Sequence, residues 1–276
     1  MENAIINNKY KLIKKIGSGS FGTIFECLNI RTQEKNAIKL ELIEDELKLL
    51  RYECNIYKIL DGINNVPKIK WYGKDDKYYY MVLDLLGDSL QTLIDKSGKF
   101  KLKIILQIGI NILNILNNIH DKGFIHRDVK PENFLLTINK PKKLFIIDFG
   151  ISKPYLINKQ HIKSKITNKF LGTQNFASIN SHNFYEQSRR DDLESLAYML
   201  IYFYFGKLPW MDEKQLLNKE EENLYVKNKK IDLINNNDIP NILLNFYKDI
   251  LSLEFYEKPK YELYINNFKN ELEIIL

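Results

Sequence analysis

Two short runs carry side chains suited to moving a phosphoryl group. One is Phe124-Ile125-His126-Arg127-Asp128-Val129-Lys130-Pro131-Glu132-Asn133, and the other, further along, is Ile147-Asp148-Phe149-Gly150. Asp128 offers a carboxylate that can accept a hydrogen bond from an attacking hydroxyl and orient it. Lys130 can neutralise charge on the moving group, while Asn133 and Asp148 present the hard oxygen ligands that Mg²⁺ takes beside phosphates. Upstream, Gly17-Ser18-Gly19-Ser20-Phe21-Gly22 fits G-x-G-x-x-G, whose missing side chains let backbone N–H groups approach phosphate oxygens. Ala37-Ile38-Lys39 adds an ammonium for the same phosphates. That ammonium needs a carboxylate to hold it, for which Glu53 is the first candidate and Glu46 the second. His126 is expected to be packed rather than to act as acid or base.

Positioning these groups requires strands first and helices after. Tyr10-Lys11-Leu12-Ile13 and Thr23-Ile24-Phe25-Glu26-Cys27 flank the Gly-rich turn as strands. The strand after the turn separates this motif from a Rossmann turn of the same spacing, which a helix follows. Leu47, Leu50, Ile56, Ile59 and Leu60 recur at helical spacing over Ile43 to Leu60, and Tyr78 to Leu83 is β-branched and aromatic like a strand. Beyond Gly87 helical patterns dominate, notably Lys101–His120 and Asp191–Phe205. The fold class expected is α+β with two lobes, a small β-rich N-lobe at about 9–86 and a larger helical C-lobe at about 87–276, with nucleotide in the cleft between them.

Composition fits this reading. The 276 residues are 45% hydrophobic and 28% charged, ordinary for a globular chain, and the net charge of +6 suits anionic ligands without requiring nucleic acid. Cys27 and Cys54 lack metal-site spacing and read as reduced thiols of an intracellular protein, cytoplasmic or nuclear. The first residues show no signal-peptide pattern, and the apolar run Leu196 to Phe205 is too short to cross a bilayer, so a buried helix and no membrane are expected. Abundant Asn, Ile and Lys with sparse Ala and Gly read as AT-rich coding bias, viral or protist. His120, His161 and His182 form no local ligand pattern, and Trp210 after Leu208-Pro209 is expected to cap the following loop.

With these motifs in order, the chain resembles the protein kinases, and the casein kinase 1 family in particular. The markers are Ala37-Ile38-Lys39-Leu40-Glu41, Leu83-Asp84-Leu85-Leu86-Gly87-Asp88-Ser89-Leu90, Ala177-Ser178-Ile179-Asn180 in place of A-P-E, and Glu186-Gln187-Ser188-Arg189-Arg190-Asp191-Asp192-Leu193-Glu194-Ser195-Leu196. The resemblance covers roughly residues 9 to 270. It implies transfer of phosphate from ATP, with Mg²⁺, to Ser or Thr of protein substrates, in an acidic context where one is present, by a monomer. The catalytic pair is then Asp128 and Lys130, with Asn133 and Asp148 on the metal. Nucleotide contacts fall to Ile16, Gly17, Ser18, Gly19, Ser20, Phe21, Gly22, Thr23 and Ile24, to Ala37, Lys39 and Glu53, and to Asp84 and Leu86. The resemblance also implies that Asp192 anchors the catalytic loop and that no activating phosphate is needed, although Ser152, Ser164, Thr167 and Thr173 lie in the segment where one would sit.

One departure matters. The family usually reads G-T-A-R-Y-A, whose Arg holds a phosphorylated or acidic residue upstream of the target; here Gly172-Thr173-Gln174-Asn175-Phe176-Ala177 puts Asn175 at that place. The basic loop expected after Trp210 is diluted by Lys219-Glu220-Glu221-Glu222, while Lys163, Lys165, Lys169, Arg189 and Arg190 remain to compensate. The rival readings are a pseudokinase acting as a binding scaffold and a small-molecule phosphotransferase of the same fold. Both are disfavoured, the first because every group required for transfer is present.

Overall fold

Strand-forming residues on either side of the Gly-rich turn build an antiparallel sheet. In the computed structural model, which describes residues 1–19, 22–44, 49–211 and 218–275, six strands are β1 Ile5–Ile6, β2 Tyr10–Gly19, β3 Gly22–Asn29, β4 Lys35–Leu42, β5 Ile69–Lys74 and β6 Tyr78–Asp84. Their order is β1-β2-β3-β4-β6-β5, every neighbour antiparallel. Alternate residues face one side, so Tyr10, Leu12, Phe25, Cys27, Ile38, Leu40, Tyr80 and Val82 form a buried cluster. Each Leu, Ile, Val or Phe among them contributes about 1.5–3 kcal/mol by leaving water. Cys27 is therefore a core thiol, and burial, with Glu26 beside it, pushes its pKa up to about 12. Cys54 is free and buried as well.

After β4 comes α1, Leu49–Ile59. It starts later than the apolar spacing suggests, since Ile43 and Glu44 form a turn. Glu46 and Leu47 lie outside the described residues. Glu41 Oε1, at the end of β4, accepts the orphan amides of Leu49 at 2.9 Å and Leu50 at 3.0 Å, which caps the helix. Strands β7 Phe134–Leu136 and β8 Leu144–Ile146 form a hairpin bound to this same unit: Gly87 N donates to Leu136 O (2.7 Å) and Ile146 N to Asn65 O (2.9 Å). The first compact unit is thus Met1–Ser89 together with Phe134–Gly150, whereas the sequence pattern assigns everything after Gly87 to the helical part.

The second unit, Leu90–Asn133 with Ile151–Leu276, is helical. Its helices are α2 Leu90–Ser97, α3 Leu102–Asp121, α4 Ile179–His182, α5 Arg189–Phe205, α6 Lys219–Asp232, α7 Asn241–Leu251 and α8 Tyr261–Ile274. By length and apolar composition α3 could cross a bilayer, but its stripe of Ile105, Leu106, Ile112, Leu113, Leu116 and Ile119 is buried and the helix packs on α5 and α8. Gly109 makes the α8 contact close, because a Cβ there would sit 2.7 Å from the Phe268 ring. Helix α5 is buried nearly all round from Leu193 to Phe203 and stops at Gly206, whose φ of 81° gives the left-handed cap that glycine adopts freely. The loop that Trp210 is expected to cap, residues 212–217, lies outside the described residues. Trp210 itself is fully buried, edge-on to Tyr198 with centroids 5.5 Å apart, and its Nε1 donates to the Asn175 carbonyl at 3.1 Å.

Candidate active site

In the first unit, the β2–β3 ladder pairs Gly17 with Ile24, Ser18 with Thr23 and Gly19 with Gly22. Ser20 and Phe21 lie outside the described residues. Gly22 cannot be replaced without distortion: its φ is 128°, and a Cβ would fall 2.2 Å from the Leu40 carbonyl oxygen. Ile16 is exposed and Ala37, opposite Leu83 in the ladder, is half-buried. The Asp84 carboxylate is committed to structure, accepting from Lys68 N at 3.1 Å and pairing with Lys70 at 3.3 Å. Leu86, just beyond β6, is half-buried.

Lys39 projects from β4 into a pair of carboxylates. Its Nζ lies 2.7 Å from Glu53 Oε2 and 3.1 Å from Asp148 Oδ1. Burial works against the charged lysine, but Glu53 and Asp148 outweigh it and raise its pKa above the ordinary value. Burial also favours the neutral acid at Glu53, and the Lys39 ammonium opposes this. One turn along α1 from Glu53, the Tyr57 hydroxyl accepts the Asp148 amide at 3.1 Å, and the Tyr57 ring meets fully buried Phe149 edge-on at 4.9 Å. A single helix face thus fixes both Lys39 and Asp148. Asp148 needs that support, since its φ of 67° is a strained backbone region for a residue with a side chain.

In the second unit, Asp128 sits in a closed set of hydrogen bonds. Lys130 Nζ lies 2.6 Å from its Oδ2, and the Thr173 hydroxyl donates to its Oδ1 at 2.7 Å while accepting from Lys130 Nζ at 2.9 Å. Asn133 Nδ2 donates to the Asp128 carbonyl at 2.9 Å, which leaves the amide oxygen of Asn133 as its acceptor end. Thr173 has no such role in the sequence pattern, where it reads as one of several modifiable hydroxyls. Ser152 is also excluded from that group: it is fully buried and donates to the His126 carbonyl at 3.2 Å. Ser164 is exposed and Thr167 is half-buried.

The backbone leading into Asp128 is held by Asp192 of α5. Its carboxylate accepts the amides of His126 (2.7 Å) and Arg127 (2.8 Å) and a hydrogen bond from His120 Nε2 (2.8 Å), and the other ring nitrogen of His120 bonds to Tyr261. Burial alone would raise the Asp192 pKa; the His120 hydrogen bond and charge, with His126, bring it below the usual value. His126 is fully buried and its Nδ1 accepts the Asp128 amide at 3.3 Å, the packing role expected for it. Arg127, at φ 70°, donates from Nε to the Ile151 carbonyl at 2.5 Å. Gly172 lies against the same loop, and a Cβ there would meet the Arg127 carbonyl at 2.8 Å.

Asn133, in the second unit, and Asp148, in the first, each carry the kind of oxygen donor that Mg²⁺ takes beside phosphates and water. Among the described residues no three His, Cys, Asp or Glu side chains cluster as a cage made of protein alone. The family model of the protein kinase domain matches residues 10–266. An antiparallel sheet followed by a largely helical region is the kinase fold. The chain therefore belongs to the protein kinase family, phosphotransferases that act on proteins and generally use ATP with Mg²⁺.

Proposed function

We propose that this kinase phosphorylates Ser or Thr of protein substrates in the manner of casein kinase 1, and does so as synthesised. The observation that carries the reading is the triangle of Asp128, Lys130 and Thr173. Asp128 orients the substrate hydroxyl, and Lys130 stands beside it to offset charge on the moving phosphoryl group. Bound Mg·ATP supplies that group and partial neutralisation of its leaving oxygens. Lys39, held by Glu53, would offer its ammonium to the nucleotide phosphates, and Asn133 and Asp148 would each offer an oxygen ligand to the metal.

The casein kinase 1 likeness draws support from how its sequence markers interlock. Ser178 Oγ donates to Asp191 Oδ1 at 2.6 Å, Asn180 Nδ2 donates to the same oxygen at 3.1 Å, and the Ile179 amide goes to Glu194 at 2.7 Å. Activity without an activating phosphate is supported by Arg127, whose guanidinium already binds a backbone carbonyl. Arg189 and Arg190 do not compensate for Asn175, because they bind the carbonyls of Tyr256 (2.8 Å) and Leu253 (2.6 Å). The acidic run Glu220–Glu222 lies in the first turn of α6, where it complements the helix dipole. Replacement of a bidentate Arg by Asn175 weakens selection of phosphate-primed substrates by about 1–3 kcal/mol.

The test is ³²P transfer from Mg·ATP to casein and to paired primed and unprimed peptides, using protein first treated with phosphatase and Asp128→Asn as control. Transfer by the native chain alone is expected, with Asn175→Arg sharpening the preference for primed peptides. ATP binding without transfer to any substrate would point to a scaffold, and activity only after an upstream kinase acts would end the claim of intrinsic activity.

A further inference from the structure

A lysine with no exposed surface is tolerated only when its ammonium is fully hydrogen-bonded. Lys230, in the last turn of α6, is such a residue. Its Nζ donates to the Gln174 carbonyl at 2.8 Å, to the Ala177 carbonyl at 2.6 Å and to Nε2 of His182 at 3.0 Å, so three donors meet three acceptors. The rings of Tyr198 and Trp210 lie 4.7 and 5.3 Å from the same nitrogen, in cation–π range. His182 accepts through Nε2 because its Nδ1 proton goes to Asn223 Oδ1 at 2.6 Å, while the Asn223 amide donates to the His182 carbonyl at 3.0 Å. Burial and the adjacent Lys230 charge push the His182 pKa down to about 3, which keeps it a neutral acceptor.

These bonds converge on one short segment. Gln174 and Ala177 are held by Lys230, and Asn175 between them is held through its carbonyl by Trp210 Nε1. The segment begins next to Thr173, whose hydroxyl touches Asp128. Residues 174–177 thus continue directly from the hydroxyl that touches Asp128, beside the place a target hydroxyl at Asp128 would take.

We propose that Lys230 is a positioning residue for the protein substrate: with Trp210 it clamps Gln174–Ala177 into the shape against which the chain around the target hydroxyl docks. The proposal rests on the protein-phosphorylating function given above. It separates this lysine from the nucleotide chemistry, which Lys39 serves in the other unit.

Lys230→Met keeps the length of the side chain but strands two buried carbonyls. Its kcat/KM for a peptide should fall on the order of 100-fold, the scale on which small misplacements act, with KM for ATP changed by less than about twofold. Trp210→Phe keeps an aromatic ring yet removes the donor to Asn175, and should give a smaller loss in the same direction. Val226→Ala, a buried position on the same helix, serves as the control that lowers Tm without moving the peptide KM. Unchanged peptide kinetics in both variants, or a parallel rise in KM for ATP, would overturn the proposal. If Lys230→Met does not fold, Trp210→Phe decides alone, and an unaltered peptide KM refutes the clamp. Wild-type protein that phosphorylates no peptide would instead refute the kinase reading on which the clamp depends.

Discussion

A hydroxyl that donates to a carboxylate and accepts from an ammonium sets the spacing between them, as Thr173 does for Asp128 and Lys130. Thr173→Ala should lower kcat about 10- to 100-fold, the usual result of losing a hydrogen bond to a charged group. Thr173→Ser should largely preserve it, and steady-state kinetics on one peptide checks both. His182 gives a second prediction at this scale. Its folded pKa of about 3 lies below the ordinary 6.5, so the unfolded chain binds more protons over that interval. Its contribution to stability is complete above pH 6.5 and declines as pH falls towards 3, by at most about 1.4 kcal/mol per pH unit. His182→Gln, whose amide oxygen can still accept from Lys230, should flatten that decline in urea unfolding compared at neutral and mildly acid pH. The sequence displays Asp128, Lys130, Asn133 and Asp148 because they lie within short motifs. It conceals Thr173 and Lys230, since their partners stand 43 and 56 residues away and only folding makes them neighbours.

Helix α1 works as a ruler between β4 and the Asp148 turn. Glu53 and Tyr57 project from one face, one to Lys39 and the other to the Asp148 amide, and Glu41 caps the helix from the strand that carries Lys39. Tyr57→Phe should thus reduce transfer without unfolding the protein, measurable as a fall in kcat with little change in far-UV circular dichroism. The existence of this helix and the role of Glu53 are readable from spacing. The cap is not, because a Glu in a strand gives no hint that its oxygen meets amides eight and nine residues on. Gly109 poses the opposite question, whether a better helix former would help. Alanine returns about 1 kcal/mol of helix propensity, but forcing a methyl against buried Phe268 costs about 1–3 kcal/mol. The second effect should win, so Gly109→Ala should lower Tm by a few degrees in calorimetry.

Across the whole molecule the proposed chemistry is divided between two units, with Lys39, Glu53 and Asp148 in one and Asp128, Lys130, Asn133 and Thr173 in the other. The two sets should fail independently. Asp128→Asn should abolish transfer while keeping ATP affinity near wild type, whereas Lys39→Met should abolish transfer and weaken ATP binding, a contrast that calorimetric titration can read. The order of a sheet followed by helices is legible from the change in hydrophobic period. The grouping of hairpin β7–β8 with the sheet is not, since it depends on backbone bonds to Gly87, Asp88 and Asn65 that leave no mark on residue type. The buried thiols lead somewhere different. With only Cys27 and Cys54 in the chain, and both sealed inside the first unit, the native protein should stay dark to maleimide dyes. A single cysteine introduced on the surface would then take a fluorophore at one known place, giving a spectroscopic reporter without first stripping the background.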